Sequence, residues 1–157
     1  MLYYQGYTVS FQEVPDEISL VIQVADCPHH CPGCHSPQLQ TPIGDPLFKD
    51  LPHMLAEYED AITCVCFMGE GQDDAELHAC HGIVKAWGLK TCLYTGGYGM
   101  HGCKWDYIKI GPYIEENGPL TSKTTNQRMI RVNWDTLDPK KALTDITDKF
   151  WTSVIPE

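Results

Sequence analysis

Ile18-Ser-Leu-Val-Ile-Gln-Val24-Ala-Asp-Cys27-Pro-His-His-Cys31-Pro-Gly-Cys34-His35 is the stretch on which the reading of this chain turns. Ile18, Leu20, Ile22 and Val24 alternate on one face and Val21 points to the other. That period of two predicts a strand. The strand ends directly at a loop whose cysteines, Cys27, Cys31 and Cys34, have the spacing C-x3-C-x2-C. No fourth cysteine follows at a matching distance. Three thiolates around a metal centre leave a coordination position open, which separates a site that does chemistry from one that only staples a fold.

Working outward, residues 2–17 are polar and mixed, with Val9, Phe11 and Val14 alternating, and predict a short edge strand or hairpin leading into Pro15-Asp16. On the other side of the cysteine loop, Pro37, Pro42, Gly44 and Pro46 make residues 36–46 irregular. Leu47, Leu51, Met54, Leu55 and Tyr58 then recur at helical spacing, with Pro46 near the start. Ile62-Thr-Cys-Val-Cys-Phe67 is an apolar, β-branched run that predicts a buried strand, broken at Met68-Gly69-Glu70-Gly71. Asp73 or Asp74 can cap a second helix whose face is Leu77, Cys80, Val84 and Trp87 and which Gly88 ends.

Leu89 to Tyr94 is a further strand, stopped by Thr95-Gly96-Gly97, and residues 96–105 form a Gly-rich loop. Tyr107 to Ile110 and Met129 to Val132 are short strands; Asp138-Pro139 opens a final predicted helix with Leu143, Ile146 and Phe150 inward. Strands alternating with helices predict an α/β fold with a largely parallel sheet. About five strands, with only some crossovers complete, suggest a partial (open) β/α barrel. A length of 157 residues fits one domain, 1–157, and is short of the ~250 residues of a complete eight-stranded barrel.

In parallel α/β folds ligands bind outside the carboxyl ends of the strands. The cysteine loop, Met68-Gly69-Glu70, Thr95-Gly96-Gly97 and Gly111-Pro112 each follow a predicted strand and so are expected to line one rim. Glu70 there can accept hydrogen bonds from a cationic amine. A formal net charge of −10 offers no phosphate-tracking surface, which argues against nucleic acid. No apolar run approaches the ~20 residues of a membrane span, and Met-Leu-Tyr-Tyr-Gln-Gly6 has neither the basic nor the apolar region of a signal peptide. The expected compartment is the cytoplasm, where eight cysteines point to metal binding or catalysis rather than disulfides.

C-x3-C-x2-C after a first core strand resembles the cluster motif of the radical S-adenosylmethionine (SAM) superfamily. Met68-Gly69-Glu70 resembles that superfamily's Gly-Gly-Glu motif, with Met68 in place of the first glycine. The small size, Cys31-Pro-Gly-Cys-His35 and Asn126-Gln-Arg128 are similar to the activating proteins of anaerobic ribonucleotide reductase. So are Phe11-Gln-Glu-Val-Pro-Asp16 and Ile62-Thr-Cys-Val-Cys-Phe-Met68, and the likeness covers most of residues 8–133. Gly33 stands where many superfamily members have an aromatic residue, as is common in the small activases. The ferredoxin-like insert of some other glycyl-radical activases is absent from residues 35–46.

The resemblance implies that Cys27, Cys31 and Cys34 hold three irons of a [4Fe–4S] cluster and that SAM chelates the fourth. Gly33, Cys34 and His35 would touch SAM by backbone, Gly69 and Glu70 would meet its methionine end, and Thr95 and Asn126 are further polar candidates. No catalytic residue beyond the cluster ligands is implied. The implied reaction is one-electron cleavage of SAM to methionine and a 5′-deoxyadenosyl radical. That radical takes a hydrogen from a glycine of the partner, the anaerobic ribonucleotide reductase. An electron donor such as flavodoxin or ferredoxin completes the set.

Simpler readings stand beside these. A structural zinc site could use the three cysteines with His29, His30 or His35, although no second ligand couple is present. A radical SAM enzyme acting on a small molecule would need extra chain to enclose its pocket. Cys64 and Cys66 share one strand face, where they could ligate or pair, but with Cys80 and Cys92 they read more simply as buried small hydrophobes. Cys103, in the Gly-rich loop, is a candidate for an exposed, oxidisable thiol and is left unassigned. Asp106, Lys109 and the Glu115-Glu116 run read as surface, and Arg128 as a solvated polar residue.

Overall fold

In the computed structural model, residues 1–31, 33–34, 37–99 and 101–152 are described. The elements in chain order are β1 (Tyr3–Ser10), β2 (Ser19–Val24), a 3-10 turn (Pro37–Gln40), β3 (Asp45–Pro46), α1 (Leu47–Tyr58), β4 (Cys64–Met68) and α2 (Asp74–Ala86). There follow β5 (Lys90–Tyr94), β6 (Tyr107–Ile110), β7 (Arg128–Val132), α3 (Pro139–Ala142), β8 (Leu143–Asp145) and α4 (Lys149–Thr152).

Among the described residues the strands form one eight-stranded open sheet, ordered β3-β1-β2-β4-β5-β6-β7-β8. Its centre is parallel: Leu20 pairs with Val65, Cys66 with Cys92, and Leu93 with Ile108. The flanks β1, β3, β7 and β8 are antiparallel to their neighbours. The fold class is therefore α/β with a mixed sheet of eight strands, not the largely parallel one of about five expected from periodicity. Two causes account for the difference. Among the described residues the β5–β6 crossover carries no helix, and after β6 the chain doubles back through residues 111–127 instead of crossing over. β1 makes with β2 the antiparallel hairpin that residues 2–17 predict, and at its start Tyr3 and Tyr4 also pair with Pro46 and Asp45 of β3.

Each sheet face buries its own cluster. On one side Leu20, Ile22, Val24, Val65, Phe67, Leu93 and Ile108 pack against Leu51 and Leu55 of α1 and Leu77 and Val84 of α2. On the other, Val21, Cys64, Cys66, Cys92, Tyr107 and Met129 pack under Ile146 and Phe150. The strict alternation of β2 explains how a single strand feeds both layers. Asp73 is the residue that caps α2, its carboxylate accepting from the Glu76 amide at 3.1 Å.

The carboxyl-terminal segment departs most from expectation. Leu143 is not inward on a helix; it opens strand β8 and is half exposed. The Asp145 carboxylate accepts from the Thr147 amide (2.9 Å) and hydroxyl (2.6 Å), and Thr147 Oγ1 accepts from the Met129 amide (2.8 Å). Those side-chain bonds satisfy the backbone that a helix would otherwise engage. Ile146 and Phe150 are buried as predicted, but Phe11 is exposed.

Candidate functional site

Four parallel strands end at one rim, and the loops that leave them are tied together by backbone bonds. Gly69 N donates to Tyr94 O (3.1 Å), Thr95 N to Lys109 O (2.9 Å) and Gly111 N to Gly97 O (2.7 Å). The cysteine loop is anchored separately, Cys27 N donating to Leu39 O at 2.8 Å. Between the loops lies a cavity of about 240 Å³ lined by Cys27, Cys31, Cys34, Gly69, Glu70, Thr95, Lys109 and Gln127 among others. The cysteine, Gly-Glu and Thr-Gly loops thus meet as their positions after strands required.

The three thiols of Cys27, Cys31 and Cys34 are half-buried and unbridged. Burial pushes the Cys27 thiol pKa up, while the backbone of His29 and His30 pulls it back. Among the described residues no three His, Cys, Asp or Glu side chains converge as a group able to hold a metal ion. The histidines considered as a fourth zinc ligand are engaged elsewhere: His29 with Glu70, and His30 Nδ1 with Gln40 Oε1 at 3.2 Å. His35 lies outside the described residues.

Gly69 has φ +110°, and a Cβ there would stand 3.1 Å from the Val24 carbonyl oxygen, so the strand-end crossing from β2 to β4 requires glycine. Glu70 is buried. Its Oε1 accepts from His29 Nε2, and its Oε2 from the Thr95 hydroxyl and from His101 Nε2. Thr95 Oγ1 in turn accepts from the Gly97 amide at 3.0 Å. Gly33 has φ +73° and faces Glu115, whose side chain is otherwise exposed as expected.

Asn126 is not among the residues that line the cavity. Its Nδ2 donates to Pro112 O (3.0 Å), and the neighbouring Gln127 lines the cavity instead, donating from Nε2 to Gly111 O at 3.4 Å. Arg128 lies 3.7 Å from Asp145. Asp106 accepts from Lys85 Nζ (2.8 Å) and the Thr91 amide (2.9 Å), tying α2 to β5. Cys103 is half-buried against the core, and burial raises its thiol pKa.

Lys109 is the residue that the sequence reading misplaced. It is buried, not on the surface. Its Nζ donates to Gly111 O at 3.1 Å and lies 5.6 Å from the centre of the Tyr94 ring. Burial lowers its pKa to about 8, and the nearby Cys31, Cys27 and Glu70 oppose that shift. The signal was the alternation of Tyr107-Ile108-Lys109-Ile110: with Ile108 in the helix-side core and Tyr107 on the opposite layer, Lys109 shares Tyr107's face at the carboxyl end of β6.

No family model, curated protein or solved structure matches the chain.

Proposed function

We propose that this chain is a radical SAM activating enzyme that generates a glycyl radical on anaerobic ribonucleotide reductase. The observation that carries the reading is that the C-x3-C-x2-C thiols and Gly69-Glu70 line one cavity at the carboxyl end of the parallel strands. A cluster takes each thiolate on a different iron, and Cys27, Cys31 and Cys34 supply three thiols to one cavity. With three cysteine ligands one iron stays open.

When bound, a [4Fe–4S] cluster and SAM supply the one-electron reduction that breaks a sulfonium C–S bond and yields a hydrogen-abstracting alkyl radical. The chain's part is to bind, orient and shield. Cys27, Cys31 and Cys34 are the cluster ligands, and Gly33 with Cys34 offers backbone to SAM. Gly69 lets the chain approach the ligand closely, and the Glu70 carboxylate meets the ammonium. Thr95 holds Glu70 by its hydroxyl. Lys109 places a cation in the same cavity, complementary to a carboxylate. The apolar walls Val24, Leu39 and Met68 keep water from the reacting centre. In this reading the sheet curls as a partial barrel whose open side admits a protein substrate, the compartment is the cytoplasm, and flavodoxin or ferredoxin delivers the electron.

The test is paramagnetic resonance on anaerobic ribonucleotide reductase incubated with the reduced, iron-loaded chain and SAM. A glycyl radical signal that requires the chain and SAM is expected. Absence of the signal, with no complex between the two proteins, would remove the activase reading.

A further inference from the structure

An ionised carboxylate only accepts hydrogen bonds, and both oxygens of Glu70 are engaged by imidazoles. His29 reaches Oε1 from the cysteine loop; His101 reaches Oε2 from the segment after β5. His101 Nδ1 also stands 3.9 Å from Asp74 Oδ1 on α2. The seat for His29 is built into the backbone, because a Cβ at Gly96 would lie 2.6 Å from its ring. The two rings retain 28% and 19% side-chain exposure against 8% for Glu70, and His29 lines the cavity, so the rings are the more accessible partners of a buried carboxylate.

We propose that His29 and His101 are displaceable stand-ins for the cation that Glu70 receives: they hold its carboxylate in the ligand-free chain, and an incoming primary ammonium takes their place. The inference rests on the reading of Glu70 as the ammonium site. A buried carboxylate left without donors is costly, and this exchange keeps it paired throughout. It also sets selectivity. A ligand without the ammonium that displaces the rings leaves Oε1 of Glu70 unpaired and Oε2 with the Thr95 hydroxyl alone, and sites left with an unpaired buried polar group reject such analogues strongly. The rings lower apparent affinity by the fraction of molecules in which they are seated.

The test uses the full chain, loaded anaerobically with iron and sulfide and carrying isotopically labelled histidines, followed by nuclear magnetic resonance while L-methionine and, separately, SAM are added. Either ligand is expected to move the ring signals of His29 and His101, and the movement is lost in Glu70→Gln. Removing one competitor in His101→Ala lowers the dissociation constant of the ligand that binds by on the order of tenfold. Ring signals that stay still with both ligands, or move equally in Glu70→Gln, overturn the inference. So does a His101→Ala chain that binds no more tightly than the parent. Movement with L-methionine but not with SAM supports the exchange at Glu70 and removes the SAM reading.

Discussion

Seven of the eight cysteines divide into two environments, with the half-buried Cys103 outside both. Cys27, Cys31 and Cys34 line a cavity, whereas Cys64, Cys66, Cys80 and Cys92 are fully buried. Burial pushes the Cys80 thiol up to about 12 and raises Cys64 and Cys92 as well. Since the thiolate is the reactive form, iodoacetamide at about pH 8 should label the three loop thiols of the metal-free native chain and spare those four until it is unfolded. Mass spectrometry reads the result, and rapid native labelling of Cys66 or Cys92 would contradict it. His81 offers a second check. Burial lowers its pKa below 6.5, partly offset by the bond from Nε2 to Lys104 O at 3.2 Å. Below pH 6.5 the unfolded chain therefore binds a proton that the folded one refuses, so this residue's contribution makes stability fall as pH drops through that window. Urea unfolding should show a shallower acid loss in His81→Gln than in the parent. At this scale the cysteine motif and the shared face of Cys64 and Cys66 were legible in sequence. Lys109 was not, because a lone lysine in a strand reads as surface until the converging loops bury it.

Elements were legible where apolar spacing was regular, as in β2, α1 and α2, and where glycine marks a strand end. Gly69 is such a mark. Its φ of +110° and the 3.1 Å approach to the Val24 carbonyl predict that Gly69→Ala loses about 1–3 kcal/mol in urea unfolding. An unchanged midpoint would mean that the rim is not held as described. The carboxyl-terminal segment was misread because Leu143, Ile146 and Phe150 fit a helical period while their neighbours favour other bonds. Asp138 accepts from Lys140 N at 2.9 Å to cap one turn, and Asp145 with Thr147 then diverts the backbone. Leu143→Ala should accordingly stay within about 0.5 kcal/mol of the parent. Ile146→Ala should lose about 2–5 kcal/mol. Equal losses at the two positions would favour the helix over β8.

Across the whole molecule, the parallel core β2-β4-β5-β6 makes the site, because it brings four loops to one end of the sheet. That convergence could be read from sequence, since each loop follows an apolar run and carries Cys or Gly. The antiparallel flanks could not. Periodicity says that a segment is a strand, not which edge it joins, and β3 has only two residues. Among the described residues no helix is long and apolar enough to cross a membrane. The central claim is that Cys27, Cys31 and Cys34 carry a cluster that cleaves SAM. The most direct test is 5′-deoxyadenosine formation by the chain after anaerobic loading with iron and sulfide, with SAM and dithionite added. The account predicts product from the parent chain and none from Cys31→Ala; a parent chain that carries a cluster but forms no product, or a Cys31→Ala chain that forms as much, would contradict it.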